Sequence, residues 1–472
     1  MKGRDWLARA AAFVAMAALV LAGCGGGVGS GGTGMASGVT MGTVSGFGSV
    51  IVDGDRFDDS GVAAFTETAP GVTVQTAVRL GERIEVEADR GQARRVRVEA
   101  TALGAVEGLL AEGFSVLGQS VRINADAARG PVTQFAGGYS GLASVQPGDV
   151  VEVHAFVRRT ASGYELQATR VQRRDAAPVF VKVGGLAGAV DASGFQLGGL
   201  RVLTGWAVVL PADVLPVEGQ RVSVLAPAAS LVVAPGAAPV LRAAQVRVAS
   251  LGQAGDEVAV SGVIGLLDAG ATRFDLGGTA VDFAAATLKP GGLTLTDGLY
   301  VLARGTLQAD GSLKASTVRL RDGRSETEAE LKGTLIGLDA ATLRFEVRGV
   351  SVDARTAEIE GCPGGVLAEG VFVEVEGRLG PTGVIAKSVH CEDEPDDAVV
   401  ERKGTAGGVD PAARRFTLTL SSGATLPVSW NDVTYFEGVS AATLAGRRVE
   451  VEGKLVDGVM QARKIEDETD DD

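Results

Sequence analysis

Residues able to do chemistry are scarce in these 472 positions, and their spacing narrows what they could do. There are two histidines, His154 and His390, and three cysteines, Cys24, Cys362 and Cys391. His390 adjoins Cys391, but two cysteines and one histidine lack the paired spacing of a zinc site. His154 lies in VVEVHAFV, an alternating stretch, and reads as a strand residue facing solvent or a barrel rim. Acid pairs such as Asp58 with Asp59, or Glu67 with Asp55, have the groups a glycosidase uses. They border a turn without the aromatic residues of sugar sites, so they read as solvated turn residues. No G-x-S-x-G elbow, P-loop or H-E-x-x-H is present. Gly27 to Gly32 matches G-x-G-x-x-G but neither follows a strand nor opens a helix, so no nucleotide site is read there. The expectation is no catalytic residue, no metal, no cofactor and no assignable ligand-binding residue.

The first residues carry chemistry of another kind. Lys2, Arg4 and Arg9 precede an apolar run from Ala10 to Ala22, too short to span a bilayer and typical of an export signal. It ends Leu21-Ala22-Gly23-Cys24, which resembles the bacterial lipobox. That resemblance implies residues 1–23 as a lipoprotein signal peptide and lipid attachment to the Cys24 sulfur. Gly25, in place of an acidic residue, implies the outer membrane, periplasmic side, by the same family rule. Residues 24–38 are a Gly-rich tether. In an oxidising exported compartment Cys362 and Cys391 are expected to form a disulfide, contributing about 3 kcal/mol.

Net charge is −14, and loss of Lys2, Arg4, Asp5 and Arg9 with the leader makes it two units more negative. This balance opposes nucleic-acid binding. The acidic runs Glu392–Asp397 and Glu466–Asp472 read as solvated rather than as calcium loops.

Positioning elements follow from an internal repeat. A Gly precedes a β-branched strand residue by three positions at Gly81/Ile84, Gly148/Val151, Gly219/Val222, Gly298/Val301, Gly370/Val373 and Gly446/Val449. Each is followed by Ala-x-x-Val/Ile, at Ala93/Val96, Ala168/Val171, Ala243/Val246, Ala315/Val318, Ala386/Val389 and Ala462/Ile465. Six ordered pairs define six units: 39–100, 101–176, 177–252, 253–322, 323–394 and 395–466, then an acidic tail, 467–472. Phe114, Phe195, Phe274, Phe345 and Phe416 recur where each second strand begins and read as core residues. The opening GTVSGFGSVIVDGDRFD, with the two signatures, resembles the bacterial domain-of-unknown-function family 5666. The resemblance is sharpest in units one, two, five and six, weakest in unit three, and supplies no active-site residues.

Unit six gives the template: VVERKGTAGGVD, RRFTLTLSSG and ATLPVSW as three strands, a connection with a helical turn, then RRVEVEGKLV and VMQARKIE across Asp457-Gly458. Five strands with a helical insertion between third and fourth is the layout of an OB-like barrel, with a sandwich meander as the alternative. The fold class expected is all-β, a tandem string of about six small OB-like barrels. Function then reads as a non-enzymatic envelope lipoprotein that binds an envelope protein or polysaccharide, or acts as a spacer. A periplasmic carboxylate hydrolase and a nucleic-acid binder are the alternatives, the second opposed by charge and by few aromatics. Binding is placed on barrel faces and on the connections near Trp206 and Trp430, which read equally as core.

Overall fold

The computed structural model describes residues 32–33, 37–59, 62–160, 163–212, 214–321, 329–391, 399–420, 423–431, 434–456 and 458–467. Cys24, nearly all of the tether and the acidic runs 392–397 and 468–472 lie outside them. Unit two shows the pattern. Its five strands are Ala102–Leu110, Gly113–Val116, Gln119–Ile123, Val150–Thr160 and Gly163–Arg174. The first three run antiparallel in sequence, the third meets the fifth in parallel, and the fourth closes the circuit between fifth and first. The same closed order, 1-2-3-5-4-1, recurs in all six units, which makes them OB-like barrels rather than a meander. In unit one a single bridge, Asp58 to Gln92, makes the parallel closure.

Both signatures have a physical cause. The six Gly residues all adopt positive φ, between 77° and 93°, where a side chain is disfavoured. Each donates its N–H to a first-strand carbonyl: Gly81 to Val44, Gly148 to Val106, Gly219 to Ala187, Gly298 to Ile264, Gly370 to Leu335 and Gly446 to Ala406. The turn is thereby stitched to the barrel before the fourth strand begins. Ala and Val three apart would face opposite sides of a regular strand. In five units a bulge places one extra residue between them, for example Thr169 between Ala168 and Arg170, so both point inward. In unit three the fifth strand instead breaks at this point, between Val240–Arg242 and Gln245–Val248. The recurrent Phe residues are buried at the centre of their barrels.

The expected helical insertion is corrected. Short 3-10 turns occur in this connection in units two and five, at Ala127–Arg129, Leu142–Ser144 and Pro363–Gly365. What all six units share is a short strand: Ala64–Ala69, Gln134–Ala136, Val208–Leu210, Thr287–Lys289, Glu358–Glu360 and Tyr435–Glu437. Each pairs in parallel with its own fifth strand. The fifth strand outruns the third, and this segment satisfies backbone groups left bare at its far end.

The tandem units also join to one another through their strands. The first strand of unit one, Ser37–Phe47, pairs with that of unit four along Val39–Met41 and with that of unit five at Gly46–Phe47. Units two and three pair through their first strands, Ala102 and Leu103 against Val183 and Lys182. Ion pairs fasten unit one further: Asp55 to Arg304, Arg56 to Glu330, Glu67 to Arg247 and Glu99 to Lys182. Units one to five thus join around unit one, whereas unit six forms a sheet of its own.

Candidate ligand cavity at the junction of units one, two and three

Asp55 and Glu67, expected in solvated turns, are clamps between barrels, and Asp55 is buried. Asp58 remains exposed. His154 is corrected too, being wholly buried where unit two meets unit one. Its Nδ1 accepts the Arg83 backbone N–H at 3.2 Å. The neutral ring then carries its proton on Nε2, facing Glu152 Oε1 at 3.3 Å and Glu82 Oε1 at 3.9 Å. Those three side chains lie close enough to share a cation. A metal, however, would need the lone pair that Nε2 gives up to its proton, so the cluster works as a hydrogen-bonded clamp. Burial opposes charge on Glu152, yet His154 and Arg174 hold its pKa at about 2.

A second polar group ties unit one to unit four. Tyr300 donates to Asp53 at 2.8 Å and lies 2.9 Å from the Ser261 hydroxyl, while the Thr43 amide donates to Asp53. Burial and the Asp53 charge push the Tyr300 phenol well above its usual range. The Arg83 guanidinium reaches Thr43 Oγ1 at 3.0 Å and Ser261 Oγ at 2.9 Å, and lies over the Phe156 ring.

Beside this network is a cavity of about 650 Å³, a size suited to a small ligand. Its floor is the outer face of two strands of unit one, Arg83–Asp89 and Gln92–Val98. Period-two alternation turns Ile84, Val86, Val96 and Val98 into the barrel and sends Arg83, Glu85, Glu87, Arg95 and Arg97 outward. Units two and three roof this charged face with Phe156, Val157, Leu210, Arg221 and Val222, and the segment Ala249–Gln253 closes one side. Most charges are spent on one another: Arg95 on Glu87, Arg97 and Lys182 on Glu99, and Arg247 on Glu67. Burial disfavours the Glu99 charge, but Lys182 and Arg97 hold its pKa at about 2. Burial raises the pKa of Glu85, despite Arg97 and Arg95 nearby.

Sequence reasoning missed this cavity, although alternating RIEVEAD and QARRVRV marked the outward charges. What covers them comes from units more than 50 residues away. Of the other candidates, Cys362 and Cys391 are bonded, with Cα atoms 4.7 Å apart. His390 is exposed while Cys391 is buried, so adjacent strand positions face apart and share no site. Trp430 packs between Phe416 and Phe436, while Trp206 is 94% exposed.

A family model described as "Domain of unknown function (DUF5666)" matches residues 104–172, 261–319, 332–390 and 405–466, over half of the chain. These fall in units two, four, five and six; unit one, where the resemblance looked sharp, is outside them, and unit four is inside. No curated protein matches the chain. A solved structure titled "drosophila Unr CSD456" is similar at 14% identity over 45% of this chain and 98% of that one. Its TM-score of 0.19 is too low to speak to fold or function.

Proposed function

The chain belongs to the DUF5666 family, whose description assigns no activity, and we propose that it is a non-enzymatic cell-envelope lipoprotein that binds an envelope partner. In this reading Cys24 carries the lipid and residues 24–38 hold the barrels off the periplasmic face of the outer membrane. The partner, a protein or polysaccharide, is held by surfaces that differ between units. The observation carrying the proposal is the third-to-fourth-strand connection of unit three. There Trp206 is 94% exposed, alongside Leu215 at 74% and Val217 at 60%. Three large apolar residues exposed within one twelve-residue connection suit an interaction surface. The mutual pairing of His154, Glu152, Asp53 and Tyr300 supports a holding role for these groups over a catalytic one.

Cross-linking pull-down from intact envelopes, comparing the full chain with Trp206→Ala, tests the reading. A partner captured by the first and lost from the second is expected. Equal capture removes the unit-three surface. Turnover of an envelope substrate that one Asp or Glu replacement abolishes overturns the non-enzymatic reading. Fatty-acid labelling lost in Cys24→Ala supports the anchor, and undiminished label sinks it.

A further inference from the structure

We propose that the cavity between units one, two and three binds an amphiphile with one carboxylate, its headgroup held by Arg221 and its apolar body lying along Phe156. Arg221 enters from the first position of the strand Arg221–Pro227 of unit three. Among the described residues its guanidinium has no carboxylate within ion-pair distance, and its hydrogen-bond partner is the Met41 sulfur at 2.9 Å. A guanidinium has five N–H donors, so most of its capacity is unused. Arg83 lines the same cavity with its donors spent on neutral oxygens, Thr43 Oγ1 and Ser261 Oγ and O. The two cations lie close enough to repel, and burial with that repulsion pushes the Arg221 pKa down.

Other lining charges do not relieve this. Once Arg95, Arg97 and Arg247 take their acids, Arg83 and Arg221 face Glu85, whose own charge burial disfavours. Asp53 sits behind Thr43 and Tyr300, outside the lining. The cations around the cavity outnumber the acids whether or not Glu85 is charged, so the site favours an anionic headgroup over a neutral or cationic one. A carboxylate also matches the planar fork of a guanidinium. The rest of the wall is apolar, with Phe156, Val157, Leu210 and Leu251, and so suits a hydrocarbon body. Unlike the partner surface of unit three, this site needs neither the tether nor another macromolecule, so the two readings fail separately.

Calorimetric titration of the full chain with decanoate, decanol and decyltrimethylammonium tests the site. Decanoate is expected to bind one per chain, at least tenfold tighter than decanol, with no binding of the cation. Arg221→Gln should weaken decanoate about tenfold and leave decanol unchanged, and Arg221→Lys should recover part of the loss. Ser250→Trp, a plug at the rim that leaves both arginines in place, should block decanoate and decanol together. Decanoate binding no tighter than decanol, unchanged in Arg221→Gln, or undiminished in Ser250→Trp overturns the proposal. Should Arg221→Gln fail to fold, the decanoate-to-decanol ratio and the plug variant decide.

Discussion

Unit one and unit six share one strand circuit and one turn glycine, yet they spend their outer faces differently. Unit six holds its sheet to itself, and its outward strand positions carry charges paired locally, such as Lys403 with Glu450. Unit one turns Asp55, Arg56, Glu67 and Glu99 toward groups on units three, four and five. The inward template makes a barrel, and the outward residues decide whether it stands apart or becomes a hub. Pairing at such a hub offsets the cost of burying a lone charge, which is several kcal/mol.

Breaking the hub at its closest approach should have the largest effect. A Cβ on Gly46 would overlap the Glu330 carbonyl oxygen of unit five. Gly46→Val is expected to destabilise the five-unit body by about 3 kcal/mol in urea titrations. Unit six should not respond. Its unfolding can be followed separately by Trp430 fluorescence in a Trp6→Phe/Trp206→Phe background, since Trp430 packs on Phe416 and Phe436. A matching shift in the Trp430 transition would show that unit six depends on the hub after all.

Reducing Cys362–Cys391 should cost unit five about 3 kcal/mol through the restored freedom of the loop it closes. Hydrogen exchange on reduced and oxidised protein should show lost protection in unit five and little change in unit six. Stoichiometric alkylation of both cysteines without reduction would rule the bond out.

Tyr300→Phe sharpens the comparison at one atom. It removes the hydroxyl that donates to Asp53 and touches Ser261, leaving a buried carboxylate short of a donor. The expected loss is about 2 kcal/mol in the five-unit transition. A neutral result would mean that the network is not what holds units one and four.

The smallest effect depends on pH. Glu99 has a folded pKa of about 2 against an ordinary value of 4.5, so its contribution is present above that ordinary value and lost as pH falls toward 2. Lys182→Met should therefore cost about 1.5 kcal/mol at neutral pH. That difference from wild type should shrink on acidification below about pH 4.5, as Glu99 protonates. Thermal unfolding across this range measures it, and a pH-independent difference would assign Lys182 a packing role.

Sequence alone determined what lies inside each barrel. Alternation chose the inward residues, the repeated Gly marked turns needing positive φ, and Phe at a recurrent offset filled the centres of units two to six. The Ala-x-x-Val signature located the fifth strand without revealing the bulge that lets both residues face inward. The fate of the outward faces was decided by tertiary structure. His154 and Arg83 occupy positions where alternation predicts water, and each is covered by a distant unit. A period of two tells a side chain which face of its own sheet it is on. Whether that face meets solvent or another barrel depends on contacts across 70 to 250 residues, as between Arg83 and His154 or Asp55 and Arg304, and no local pattern encodes them.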